Sequence, residues 1–243
     1  MAALLTPSPS PPIVVADLPA IPPTQDDLPY DDGMPMETMR HHLQMDLLID
    51  VLDLWLEARG DGFAGGNMFL YYSLEQVRHN TFIGPDFFVA LDVPRGERKS
   101  WVIWEQGKGP DVVVELLSAS TAHHDKTRKK TLYARQMHVP EYYWYDPFNC
   151  EDFAGFTLHG NDYHQLIADS QGRLHSPALN LDLGRWTGTF RGVTTVWLRW
   201  FNPEGALLST EAEAAQQHAE VAQLRAERLA ERLRQLGVDP DSI

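Results

Sequence analysis

Cysteine is nearly missing from this chain. Cys150 stands alone among 243 residues, so no intrachain disulfide and no Cys-rich zinc site can form. That composition fits a reducing cytoplasm. No run of 18 apolar residues occurs, and the N-terminus lacks a charged n-region followed by an apolar h-region. The expectation is a cytoplasmic protein with no membrane partner. No histidine has a partner at zinc-motif spacing, no Gly-rich loop is present to cradle a phosphate, and there is no Gly-x-Ser-x-Gly elbow. Basic residues are also scarce at the ends. The first 39 residues hold six acids and no Lys or Arg, and residues 204–243 hold eight acids and four Arg. The formal net charge of −14 therefore sits mostly at the termini, and residues 40–203 keep 20 acids and 16 bases. The overall charge argues only weakly against a nucleic-acid partner for the core.

Proline is unevenly placed too. Nine of the 17 prolines fall in residues 1–35, so 1–29 reads as a Pro-rich, extended or disordered tail. A domain over 30–203 follows, then a C-terminal helix in 204–243. From Glu37 to Ala58, Met45, Leu48, Ile49, Leu52 and Leu56 recur at spacings of three and four and predict a helix. Gly66–Tyr72 and Gly84–Leu91 read as strands, and a link through Trp101–Trp104 leads onward, giving two or three strands before the next helix. Phe156–Leu158, Tyr163–Ile167 and Val193–Trp200 read as an antiparallel extension of the sheet. Residues 211–236 form an Ala/Glu/Arg/Gln-rich helix that Gly237 ends. Its apolar stripe of Val221, Leu224, Leu229, Leu233 and Leu236 is too thin for a core, so it predicts a projecting helix or short coiled coil and a homo-oligomer.

The chemistry concentrates between Pro110 and Pro147. Val112–Leu117 is an apolar strand broken by one carboxylate, Glu115. A hydroxyl-rich turn of Ser118, Ser120 and Thr121 leads into a helix from about His124 to Met137, and a strand over Glu141–Tyr145 follows. A strand–helix–strand unit of this length joins parallel strands. Glu115 shares a strand face with Val113 and Leu117, where an ionised carboxylate needs a partner or a bound cation. Asp86 opens another apolar strand. If the two strands are neighbours, both carboxylates meet at one sheet edge, where a hard divalent cation would relieve their repulsion. The bland readings are a turn role for Asp86 and a buried ion pair for Glu115. On the helix, Lys129 shares a face with Leu132, Tyr133 and position 136. That face points at the sheet, and Glu115 or a phosphate is its expected partner. Lys126, Arg128 and Lys130 should be solvated and attract phosphate. Asp111 lies roughly 13 Å from Glu115 along the strand, which favours a structural role at its entrance.

These residues, in order, carry a resemblance: Pro85-Asp86, Val114-Glu115-Leu116-Leu117-Ser118, Asp125 with Lys129 and Tyr133, Val139-Pro140-Glu141-Tyr142, and Asp146-Pro147, preceded by Gly33, Glu37-Thr38 and His41. From about Tyr30 to Phe201 the chain resembles the Uma2 (Uma-two) family of restriction-endonuclease-like proteins in the PD-(D/E)XK nuclease superfamily. The resemblance implies an α/β fold with an αβββαβ core, a mixed sheet flanked by helices, and a Mg2+ (or Mn2+) site for cleaving phosphodiester bonds in DNA. Carried over, Asp86 and Glu115 become the metal-binding and catalytic acids, helped by the Leu116 carbonyl. The lysine usual two residues after the second acid is replaced by Leu117, and the migrated lysine is Lys129. Lys126, Arg128 and Lys130 would hold the nucleic-acid backbone. Two other readings compete with an endonuclease: a non-catalytic nucleic-acid- or protein-binding module on the same scaffold, and an assembly protein acting through its C-terminal helix.

Overall fold

The computed structural model describes residues 21–29, 38–79, 82–236 and 239. Residues 1–20 and 30–37, with most of the expected Pro-rich tail and the family-like Gly33 and Glu37, lie outside the described residues, as does Gly237. The described part of the tail is not free. Leu28 is buried, the Trp104 indole donates to the Pro23 carbonyl at 2.7 Å, and the Tyr71 hydroxyl donates to the Pro29 carbonyl at 2.7 Å. Pro23 and Pro29, on either side of the turn at residues 25–27, offer carbonyls to these donors.

The first helix runs Met39–Arg59, capped by the Thr38 hydroxyl and closed by Gly60 at φ 88°. Then come β1 (Phe63–Gly65), β2 (Leu70–Tyr71), β3 (Phe87–Ala90), β4 (Trp101–Val102) and β5 (Val112–Leu116). A helix over 122–137 leads to β6 (Glu141–Asp146), β7 (Asn149–His159) and β8 (Asp162–Gln165). The main sheet has the order β1-β3-β5-β6-β7-β8. Within this sheet, among the described residues, β5 and β6 run parallel, joined by the 122–137 helix, and the other pairs are antiparallel. First helix, β1, β3, β5, second helix and β6 reproduce the αβββαβ order.

Two expectations need correction. The first strand is Phe63–Gly65, paired with β3, not Gly66–Tyr72; within the latter only Leu70–Tyr71 is strand, and it pairs with Trp101–Val102 in a separate two-stranded ribbon. The antiparallel extension is β7 and β8 alone. Beyond them β9 (Leu174–Ser176), β10 (Leu181–Phe190) and β11 (Val193–Phe201) form their own sheet. The first helix lies between the two sheets. Leu48, Leu52 and Leu56 meet Val112, Val114 and Tyr143 of the main sheet and Leu183, Trp197 and Leu198 of the smaller one. The buried Gln44 amide fixes that packing by exchanging two hydrogen bonds with the backbone of Leu198, each 2.9 Å. A buried amide is tolerated only when so satisfied. The opposite face of the main sheet carries Tyr133 and Val139 against Val113 and Tyr142.

The C-terminal helix, Glu211–Gln235, starts with a capping box between Thr210 and Glu213 and has no buried residue. Among the described residues, no helix is long and apolar enough to cross a membrane.

Candidate active site

In β3 and β5, Phe87 stands opposite Val114. One step further in this antiparallel register, Asp86 falls opposite Glu115. The Asp86 carboxylate accepts from the Leu116 amide at 2.7 Å, and the Asp86 amide points at Glu115 Oε2 at 3.4 Å. The two expected acids therefore sit together at one sheet edge. Gly66 makes room for them: a Cβ there would lie 2.3 Å from the Asp86 carbonyl and 2.7 Å from Met45.

The 122–137 helix supplies the rest. It alternates α turns with two π turns, Asp125–Lys129 and Tyr133–Met137. Four residues are slightly more than one α turn and slightly less than one π turn, so the mixture keeps every fourth residue in one row. Asp125, Lys129 and Tyr133 form that row. Asp125 and Tyr133 are buried and Lys129 is 18% exposed, whereas Gln136, on the face expected from regular helix spacing, is exposed.

Glu115 is the hub. The Lys129 ammonium lies 2.9 Å from its Oε2, and the Tyr133 hydroxyl donates to its Oε1 at 2.9 Å. Lys129 also lies 3.2 Å from Asp125 Oδ1 and 3.5 Å from the Gly84 carbonyl. Apart from that ionic contact, neither Asp125 carboxylate oxygen receives a hydrogen bond from the described residues. Three carboxylates thus face one ammonium. Burial raises the Glu115 carboxyl; Lys129 opposes that rise, while Asp86 and Asp125 add to it, and the result is a value of about 8. Asp86 is raised mainly by burial, against the pull of Lys129 and the Leu116 amide. Burial disfavours the charged Lys129, but Glu115, Asp86 and Asp125 outweigh it and hold the ammonium protonated. Burial and then the Glu115 charge push the Tyr133 phenol well up, so it remains a neutral donor.

Asp125, Tyr133 and His41 are among the residues that carry the resemblance, but the sequence assigned none of them a role at the site. Asp125 and Tyr133 had a further signal in their spacing of four on either side of Lys129. His41 is buried at the start of the first helix, its Nδ1 2.8 Å from the Thr38 hydroxyl and its Nε2 3.0 Å from the Leu117 carbonyl at the end of β5. Asp111 stays apart, accepting from the Leu91 amide and Lys108 at 2.7 and 2.6 Å.

Of the other cations expected to be solvated, Arg128 is, but Lys126 and Lys130 are not free in water. Lys126 pairs with Asp152 at 2.7 Å, and Lys130 lies 3.3 Å above the Phe156 ring centroid, its pKa lowered by burial. Both brace the helix on β7 rather than standing free in water, because the aromatic edge of the sheet lies beneath their stems. Arg128 is exposed. All three line a groove of about 870 Å3, together with Arg135, Tyr72 and Tyr163.

The Uma2 family, described as "Putative restriction endonuclease", matches residues 16–189, well over half of the chain. This chain is a member of the Uma2 family. No curated protein matches it. Among solved structures it is similar to a protein from Anabaena variabilis ATCC 29413 described as "a putative nuclease belonging to DUF820". Identity is 17% over 65% of this chain and 90% of that one, with a TM-score of 0.43. Among its described residues this Uma2 member has no group of three His, Cys, Asp or Glu side chains converging as a ready-made metal cage. Its donor chemistry nonetheless fits magnesium. That ion takes hard oxygen ligands, commonly one or two carboxylates, and completes its shell with water and substrate phosphate. The buried Asp125 carboxylate, to which no described residue hydrogen-bonds, adds a third acid beside Glu115 and Asp86.

Proposed function

We propose that this protein is a divalent-metal-dependent endonuclease that hydrolyses phosphodiester bonds in DNA. The observation that carries the proposal is the surplus of acid. A structural ion pair needs one carboxylate per ammonium, but Glu115, Asp86 and Asp125 all face Lys129. Like charges gathered in a partly buried place favour binding of a further cation.

In this reading Asp86 and Glu115 would hold Mg2+ (or Mn2+), which would lower the pKa of a bound water and offset charge on the phosphate. Lys129 stays protonated, so it acts as a fixed positive charge towards the phosphate and not as the base. Tyr133 keeps Glu115 oriented through its 2.9 Å hydrogen bond. Arg128, with Lys126 and Lys130 at the groove wall, meets the nucleic-acid backbone. The chain works as a homo-oligomer.

A second reading has its own support. Lys129 already neutralises Glu115, which suits a scaffold that binds nucleic acid without cutting it. Incubating the protein with plasmid and single-stranded DNA in magnesium or manganese separates the two. Cleavage that disappears in Asp86→Ala supports the endonuclease. DNA binding without cleavage in either metal supports the scaffold.

A further inference from the structure

The C-terminal helix is anchored to the domain at its first turn. The Arg199 guanidinium, 1% exposed, makes two bonds to the Glu213 carboxylate at 2.9 and 2.7 Å and a third to the Leu208 carbonyl at 2.6 Å. From there the helix projects for about 37 Å at 1.5 Å per residue.

Its apolar residues do not form the single stripe expected. On a seven-residue repeat with Leu229 at position d, Leu233 falls at a and Leu236 at d. Every a and d position back to Ala212 is then alanine. The unbroken seam spans three and a half heptads, the length at which such a pattern specifies a coiled coil. Val221 and Leu224 fall at c and f, off the seam.

The seam also points the right way. In the first turns only Glu213 and Ala214, at b and c, are half-buried against the domain, while Ala212 and Ala215 are exposed. The seam therefore faces away from its own domain and is open to another helix. Leu229 and Leu236 are 57% and 68% exposed on it.

Charge selects the occupant and its direction. Positions g hold His218, Arg225 and Arg232; positions e hold Gln216, Gln223 and Ala230. A second copy lying antiparallel would set g against g and bring arginines together. A parallel copy sets g against the neutral e positions. We infer that this helix forms a parallel, in-register coiled coil with a second copy of the chain, the two domains flanking its N-terminal end on opposite sides. Built on the nuclease reading, that dimer carries two candidate sites on one particle; the association itself does not depend on that reading.

The test is the mass of the full chain in solution by light scattering, followed by cross-linking. The expected mass is twice 27.5 kDa. Leu229→Glu with Leu233→Glu should halve it, while Val221→Glu with Leu224→Glu should leave it unchanged. Because no residue of the helix is fully buried, these variants keep the domain folded, which circular dichroism checks. With Cys150→Ser in place, Leu233→Cys should form a disulfide-linked dimer under mild oxidation. A monomeric wild type, a dimer indifferent to the seam, or cross-linking only when Ala212→Cys and Leu236→Cys are combined would each overturn the proposal.

Discussion

The Lys129 ammonium stands 3.2 Å from the buried Asp125 carboxylate, yet among the described residues neither oxygen of that carboxylate receives a hydrogen bond. Natural interiors rarely leave a buried acid in that state. The π turn beginning at Asp125 holds the pair in this geometry, and the Tyr142 hydroxyl steadies the turn by donating to the Asp125 carbonyl at 2.9 Å. Single π turns collect at functional sites because they re-aim side chains at a cost in helix regularity. Here the turn aims an acid and a lysine at Glu115.

The first prediction concerns the two acids on the sheet. Asp86→Ala and Glu115→Gln should each abolish metal-dependent DNA cleavage and reduce magnesium binding, read by calorimetry, at least tenfold. Each removes one member of a mutually repelling set, so the melting temperature without metal should hold or rise. A melting temperature well below wild type with cleavage intact would assign these acids to the fold alone.

The second concerns pH. The Glu115 carboxyl is raised from 4.5 to about 8 in the folded protein. Between those values the folded state keeps a proton that the unfolded chain has released, so metal-free stability falls as pH rises. Asp86 and Glu141, both raised by burial, act in the same direction. Lys129 is raised too, but its contribution is lost only above the ordinary lysine range and does not mask this window. The melting temperature should fall from about pH 5 to about pH 8, and Glu115→Gln should flatten the slope without abolishing it. Equal slopes for the two proteins would mean that Glu115 is ionised throughout.

The third concerns Gly66. A methyl group there would meet the Asp86 carbonyl at 2.3 Å, a contact no side-chain rotation relieves. Gly66→Ala should cost about 1–3 kcal/mol of stability, as overpacking does. It should also weaken magnesium binding by moving Asp86. A variant that loses stability but binds magnesium as wild type would separate Gly66 from the site.

Much of this was readable in the residues. The two acids at one edge follow from two apolar strands, each opened or broken by a carboxylate. The crossover follows from the spacing between Val112 and Glu141. What was not readable depended on departures from regular geometry. A regular helix already sets Asp125 and Tyr133 one turn either side of Lys129, but it also groups position 136 with them; the π turns straighten the row of fours and leave Gln136 outside it. Lys126 and Lys130 look solvated in sequence because nothing local reveals that Asp152 and Phe156, two strands later, lie beneath them. The first strand was misplaced for a similar reason. Gly65 and Gly66 look like its start, but the pairing ends there so that the chain can pass close to Asp86.

The last prediction separates the three lysines of the helix. They carry equal charge but differ in what they touch: Lys129 touches Glu115 and Asp125, Lys126 touches Asp152, and Lys130 lies on Phe156. Lys129→Ala should reduce the cleavage rate a hundredfold or more, about 3 kcal/mol of transition-state stabilisation, with little change in DNA affinity. Lys129→Arg should not restore it, because the guanidinium fork is wider than the ammonium between the two carboxylates. Lys126→Ala and Lys130→Ala should weaken DNA binding modestly, reduce its salt dependence, and loosen the helix on β7, leaving the rate at saturating DNA close to wild type. Rates at saturation and salt-dependent binding, measured on all four variants, decide the matter. If the three alanine variants lose rate only in proportion to lost binding, Lys129 is one more phosphate contact, and the acids of this site act without it.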